Sequence, residues 1–397
     1  MSKQQLPPVY VVSARRTPIG AYLGVFADVS APKLGAIAIK AALESGKIPL
    51  EAVQHVYFGN VLSAGIGQAP ARQASLGAGI PNTVPCDTIG KVCGSGLEAI
   101  ILGTKSIALG DADVVVAGGM ESMSNVPYYL TKARSGYRMG NGNLIDGMIH
   151  DGLWDPYNDF HMGNAGEICA KEYKFTREAQ DDFAKESFRR AVAAQKESRF
   201  SDEIAGVPVP QRKGDPIVVT EDEGPKKGDP AKMAALKPAF DKAGTITAAN
   251  ASSINDGASA VVLASEAAVK KHGLTPLARI VGYGGAAQAP EWFTTAPVAA
   301  MKEASTRTGV ALKDIDLFEI NEAFAVVAMA AMKDLDLDHA KVNVHGGAIA
   351  LGHPIGASGA RIFTTMLHAM KQRNAKRGLS TLCIGGGEAV AVIAERV

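Results

Sequence analysis

Long uninterrupted apolar runs are missing from this sequence. No stretch of about 18 apolar residues stands out, which speaks against a membrane-spanning helix. The opening, MSKQQLPPVYVVSARRTPIG, lacks the apolar h-region and small-residue cleavage site of a secretory leader, and Val9–Val12 reads as a core strand. The closing AERV is not a peroxisomal address of the Ser-Lys-Leu type. Cysteine is scarce. Cys86, Cys93, Cys169 and Cys383 are the four present, and no pair has CxxC or metal-site spacing. A disulfide framework is therefore not expected. An excess of either charge is absent too: 41 basic residues face 40 acidic ones, for a net charge of +1. That balance argues against a nucleic-acid binder and leaves room for a local basic patch facing a phosphorylated ligand. A cytoplasmic protein is the expectation.

What is present is a large ordinary core. The 397 residues are 47% hydrophobic and 20% charged, enough for two or three domains or one pseudo-duplicated unit. Glycine is abundant, at 43 residues, and clusters at the ends of short Val- and Ile-rich runs. VYVV near 9, HVYFGN near 55, DVVVAGG near 113, LFEIN near 317 and TLCIGGG near 381 read as strands, with helical patterns between them. LGAIAIKAALESG (34–46) reads as an amphipathic helix ending at Gly46. This alternation predicts a layered α/β fold.

A faint internal repeat accompanies it. IPLEAVQHVYFGNV (48–61) resembles VALKDIDLFEINEA (310–323). CGSGLEAIILGTKSIALGDADVVVAGG (93–119) resembles GASGARIFTTMLHAMKQRNAKRGLSTLCIGGG (356–387). Order and spacing agree, as two similar halves would require, although βαβ units in general look alike. The stretch 122–254, with MESMSNVPYYL, REAQDDFAKESFRRAVAAQKE and a polar tract around EDEGPKKGDP, reads as an inserted, mostly surface segment.

Four loops carry reactive residues. Cys93 lies in KVCGSGLEAI, ahead of an apolar helical pattern. Exposed N–H groups and the helix dipole there favour a thiolate, and the glycines permit close approach by a substrate. A cysteine buried for packing is the ordinary alternative. His353, in GGAIALGHPIGASGAR, is wedged among glycines and a proline, poorly placed as core filler and suited to acid/base work. Asn321, in EINEAF, fits a helix N-cap as well as a catalytic role. Cys383 ends a buried strand, and the glycine run after it offers free N–H groups for an oxyanion.

Taken together, the blocks at 91–97, 319–324, 345–361 and 382–387 match, in order, those of the thiolase family, and the resemblance runs from ARRTPIG to CIGGGEAV. HMG (161–163) and TAANASSINDGAS (247–259) are similar to the acetyl-CoA C-acetyltransferase subgroup. The resemblance implies a five-layer αβαβα fold: a first core half over 1–121 with 255–273 returning to it, an inserted loop domain over 122–254, and a second half over 274–397. It implies a reversible Claisen condensation of two acetyl-CoA to acetoacetyl-CoA plus CoA. Cys93 would be the acylated nucleophile, Cys383 the acid/base for the second substrate, and His353 the group activating the nucleophile. Asn321 would hold an oxyanion-hole water, and the N–H groups of Cys93 and Gly385 would form a second oxyanion hole. Coenzyme A would lie against Leu153, His161, Met162, Ser252 and Phe324, with a cation from Lys226 or Lys227. His161 and Met162 would narrow the acyl pocket, against the alternative of a longer-chain 3-ketoacyl-CoA thiolase of fatty-acid β-oxidation. No metal or redox cofactor is implied, and the expected assembly is a homotetramer with Val126–Leu130 as a contact.

The chain departs from the family's pattern at three places. Pro225, followed by Lys226 and Lys227, stands where well-known bacterial members carry an arginine. Phe188 stands where potassium-stimulated members have a tyrosine. Glu388 follows the final glycine run, where many members are uncharged.

Overall fold

In the computed structural model, which describes residues 7–397, the apolar runs become strands buried on both faces. The first part of the chain forms β1 (Val9–Arg16), α1 (Ala31–Ser45), β2 (His55–Gly59), α2 (Pro70–Gly77), β3 (Cys86–Ile89), α3 (Ser95–Leu109) and β4 (Val114–Ser122). A long excursion follows, holding α4 (Met162–Tyr173), α5 (Arg177–Lys196) and short two-stranded ribbons. The chain returns as β5 (Asn255–Ser265). The last part forms β6 (Ala278–Ala287), α6 (Ala296–Thr308), β7 (Leu317–Ile320), α7 (Ala325–Leu335), α8 (Ile355–Gln372), β8 (Arg377–Ile384) and β9 (Glu388–Arg396).

The repeat in the sequence is a repeat in topology. β2 runs parallel to β4, β4 antiparallel to β5, and β5 antiparallel to β1. In the second half β7 runs parallel to β8, β8 antiparallel to β9, and β9 antiparallel to β6. The two sets join through a short antiparallel seam, Val9–Val11 against Ala278–Ile280. The 3₁₀ turns Leu50–Ala52 and Leu312–Asp314 precede the equivalent strands β2 and β7.

Side-chain alternation sets the layers, since successive residues of a strand point to opposite faces. Val115 and Ala117 of β4 pack in one core with α3 and α8, whereas Val114 and Val116 pack under α1 and α2. In β9, Val390, Val392 and Ala394 join the α3/α8 core, and Ala389, Ala391 and Ile393 join a third core with α5, α6 and α7. Helices α3 and α8 thus lie between the two sheets. The order α1/α2, sheet, α3/α8, sheet, α6/α7 is the expected five-layer arrangement. The window Val92–Leu109 is long and apolar enough by composition to cross a membrane, contrary to the reading of the sequence; its helix is the central filling between two sheets.

Small residues permit the tight middle layer. A Cβ on Gly96 would lie 2.7 Å from the Ala360 amide nitrogen, and one on Gly359 would lie 2.4 Å from that of Leu97. The excursion is tied to the core by Arg16 at the end of β1. Its fully buried guanidinium donates to both carboxylate oxygens of Asp222, at 2.7 and 2.9 Å, and to Glu203 at 2.6 Å. The excursion is also less superficial than expected: Phe183, Ala184, Phe188 and Ala191 of α5 are buried against the second half.

Candidate active site

Cys93 sits two residues before α3, in a turn that the chain enters under strain. Val92 has φ +43°, a left-handed conformation that is costly for a β-branched residue, by about 1–3 kcal/mol. The turn is locked on both sides. The Ser95 hydroxyl accepts the Lys91 N–H at 2.8 Å and donates to the Val92 carbonyl at 2.7 Å. The Gly94 N–H donates to the Lys91 carbonyl at 2.9 Å. Gly94 has to be small, because a Cβ there would meet Ile384 Cδ1 at 2.4 Å. Burial pushes the Cys93 thiol up to about 11, an effect opposed by the N–H groups of Gly385 and of Cys93 itself and reinforced by the buried Glu121 carboxylate. The free protein therefore holds a thiol here, with two backbone donors already aimed at the sulfur.

His353 is buried, and burial first, then the charge of Arg361, lowers its pKa to about 3. The ring is neutral at physiological pH. Its tautomer follows from its neighbours. The Ser358 hydroxyl donates to the Pro354 carbonyl at 2.8 Å, so it accepts from His353 Nδ1–H at 2.6 Å. The Asn321 amide nitrogen, 3.5 Å from Nδ1, is at the limit of a hydrogen bond and cannot compete. That leaves the Nε2 lone pair free, and Nε2 is a buried atom without a partner. A neutral imidazole with an unused lone pair is a base in waiting. The main-chain N–H of His353 is held by Asn255 at 2.9 Å.

One cavity of about 570 Å³ gathers most of the residues singled out in the sequence. Cys93, His353 and Gly385 line it together with Leu153, His161, Met162, Ser252, Phe324 and Lys227. Asn321 and Cys383 are fully buried and stand outside the lining. Cys383 packs with Met162, Phe293 and Phe324; burial first, and then a negative charge on Cys93, pushes its thiol well up. Lys226 does not reach the cavity. It adjoins Lys227 on the turn Gly224–Lys227, where successive side chains point about 100° apart. Lys226 therefore pairs with Glu221, whereas Lys227, paired with Glu223 at 3.1 Å, faces the cavity.

His161 caps α4, its Nδ1 accepting the Gly163 N–H at 3.0 Å. Its ring stacks on Phe240 at 4.7 Å, and Phe240 meets Phe324 edge-on at 6.0 Å. Phe240, Phe293 and Tyr22 line the cavity and were not singled out in the sequence. They lie in three separate loops, with no periodicity or polar partner to mark them. Glu388 does have a role in the structure: it forms an ion pair with Lys91.

A thiol at a helix entrance, a neutral imidazole base and paired N–H donors in an apolar cavity define the class of acyl-transfer sites that work through a covalent thioester. The comparisons narrow this class. Residues 9–267 match the thiolase N-terminal domain and residues 274–396 the thiolase C-terminal domain. The acetyl-CoA acetyltransferase of Cupriavidus necator is 54% identical over 98% of this chain and 99% of its own length. Among solved structures, the Acat5 thiolase of Ascaris suum in complex with coenzyme A superposes with a TM-score of 0.94 at 45% identity, covering 98% of this chain and 100% of that one. The acetyl-CoA acetyltransferase of Bacillus anthracis gives 0.97 at 39% identity, with full coverage of both chains. The chain belongs to the thiolase family.

Proposed function

We propose that the protein is an acetyl-CoA C-acetyltransferase, catalysing the reversible condensation of two acetyl-CoA to acetoacetyl-CoA and free CoA. The observation that carries this reading is the convergence on one cavity of the Cys93 thiol, the Gly385 N–H and the unpaired Nε2 of neutral His353.

The chemistry runs in two halves. As Cys93 attacks the first acetyl-CoA, its proton passes to His353 Nε2, and the developing thioester oxyanion is held by N–H donors. Collapse breaks the bond to the CoA sulfur, and His353 returns the proton to that thiolate. Acetyl-Cys93 and free CoA result. A second acetyl-CoA then enters, the Cys383 thiol passes its proton to the neutral His353 Nε2, and the resulting thiolate removes the α-proton. Burial raises the Cys383 pKa and so narrows its gap to this weakly acidic C–H. The enolate carbon attacks acetyl-Cys93, the bond to Cys93 sulfur breaks, and acetoacetyl-CoA leaves. His353 returns its proton to the Cys93 thiolate, and Cys383, holding the α-proton, is again the thiol it was at the start. Asn321, beside the His353 ring, positions a water for the enolate oxygen.

Leu153, His161, Met162, Ser252, Phe324 and Lys227 form the coenzyme A site in this reading, with Lys227 rather than Lys226 as the cavity cation. Residues 122–254 act as the inserted loop domain that covers the site, between the halves 1–121 with 255–273 and 274–397. No metal or redox group enters any step. A reducing, cytoplasmic compartment suits a site that uses Cys93 and Cys383 as free thiols. Assembly as a homotetramer is supported by the exposed apolar side chains Tyr128 and Leu130 in the excursion.

Chain length is the test. His161, Met162, Phe240 and Phe324 narrow the cavity that holds Cys93 in this reading, so acetoacetyl-CoA should undergo thiolysis much faster than 3-ketooctanoyl-CoA. Equal kcat/KM for the two would replace this reading with that of a longer-chain thiolase.

A further inference from the structure

The two donors aimed at Cys93 sulfur come from segments far apart in the chain. One is the N–H of Cys93 itself, in the turn before α3. The other is the N–H of Gly385, in the Gly385–Gly387 turn between β8 and β9, where Gly386 and Gly387 have φ +93° and +88°. No single element fixes the distance between them. The glycine turn has little conformational resistance of its own, and the Cys93 turn carries the strain of Val92.

Lys91 and Glu388 join these two segments by a direct ion pair between Nζ and Oε2, across 297 residues of sequence. Each is placed to control a donor. Lys91 opens the Cys93 turn, its N–H bound to Ser95 and its carbonyl bound to Gly94. Glu388 opens β9 directly after the glycine turn and pairs with Ile384 across it. Their side chains remain 29% and 42% exposed, so neither is committed to a core. Apolar packing of Ile384 on Gly94 supports the same junction without using charge.

We propose that Lys91 and Glu388 are positioning residues, a clamp that sets the spacing of the Cys93 and Gly385 N–H groups around the reacting sulfur. Neither touches a reacting atom. The clamp acts on the transition state through donor geometry, where a displacement of about 1 Å in a catalytic group can cost up to about a hundred-fold in rate. This inference rests on the acyl-transfer reading above.

The test uses Lys91→Met, Glu388→Gln and the charge swap Lys91→Glu/Glu388→Lys in the full-length protein. Each single variant should lose about three- to ten-fold in kcat for acetoacetyl-CoA thiolysis, with KM changed less than about two-fold. The swap should recover kcat to within about two-fold of wild type. Raising salt to about 1 M should lower wild-type kcat and leave the single variants unaffected. The alkylation rate of Cys93 by iodoacetamide at fixed pH gives a readout that needs no acyl chemistry. It should fall in both single variants as the Gly385 N–H drifts from the sulfur, and recover in the swap. Unchanged alkylation in the single variants would overturn the clamp, as would a loss confined to KM or a swap as poor as the two single losses multiplied. A wild-type protein that fails to cleave acetoacetyl-CoA would instead remove the acyl-transfer reading, and alkylation alone would then decide the clamp.

Discussion

The two halves share a strand order and differ in what their equivalent positions hold. Matching DVVVAGG with STLCIGGG aligns Val115, Val116 and Ala117 with Leu382, Cys383 and Ile384. The packing agrees. Val115, Ala117, Leu382 and Ile384 all face the central α3/α8 layer, whereas Val116 and Cys383 face outward from their sheets. Outside the first sheet Val116 meets the apolar buried face of α1. Outside the second, Cys383 meets Met162 from the excursion and Phe293 and Phe324 from the second half's own loops. The same backbone position is inert in one half and chemically placed in the other. The duplicated scaffold is therefore neutral, and what covers each strand position decides its use: α1 and α2 over Val116, the excursion with Phe293 and Phe324 over Cys383.

Removing the reactive group from the second half should give the largest effect. Cys383→Ala should lower condensation by about 10²–10⁴-fold, the usual worth of a general acid/base. Acetyl-CoA should still leave one acetyl group on Cys93, visible by mass spectrometry, because the Cys93 and Gly385 N–H donors and His353 remain. Full condensation activity in this variant would make the halves equivalent and remove Cys383 from the mechanism.

A second measurement sharpens the first-half side. Burial raises the Cys93 pKa to about 11, and neutral His353 supplies no cation to lower it. The thiolate is the minor species below that pKa, so its fraction grows with pH. Alkylation of Cys93 in the free protein should rise about ten-fold per pH unit from 7 to 9, without a plateau. A plateau reached by pH 7 would mean a preformed thiolate–imidazolium pair instead.

The smallest effect should come from the inert twin. Val116→Cys puts a thiol at the position equivalent to Cys383, beneath α1. It should cost about 0.5–1.5 kcal/mol of stability in thermal unfolding, leave turnover unchanged and take up no acetyl group. Acetylation of the introduced thiol would show that the strand position itself, and not its cover, confers reactivity.

Much of this was legible in the sequence for physical reasons. Strands buried on both faces betray themselves as apolar runs, and α1 ends at Gly46 as its pattern implied. Cys93, His353 and Gly385 were marked by glycine-rich turns, which few other demands on a chain produce. Phe240 and Phe293 were not marked, because an aromatic in a loop looks the same whether it lines a cavity or fills a gap. Lys226 and Lys227 are adjacent and chemically identical, and only the direction of a short turn separates the one facing the cavity from the one facing water. Glu388 had no visible purpose until Lys91 stood beside it, and no local pattern encodes a contact across 297 residues.

The seam between the sheets has a consequence for how the chain is made. β1 is synthesised long before its partners, which are β5, where Val9 meets Ser265, and β6, where Val9 meets Ile280. At about 5–20 residues per second, the intervening stretch of roughly 250 residues takes on the order of 10–50 seconds to synthesise. Through that interval β1 has α1 to pack against but both of its hydrogen-bonding edges stay unpaired. The first half cannot close as a unit behind the ribosome, although it comes first in sequence. Nascent chains halted before residue 255 should therefore depend on chaperones, whereas chains released after residue 287 carry every strand that β1 requires.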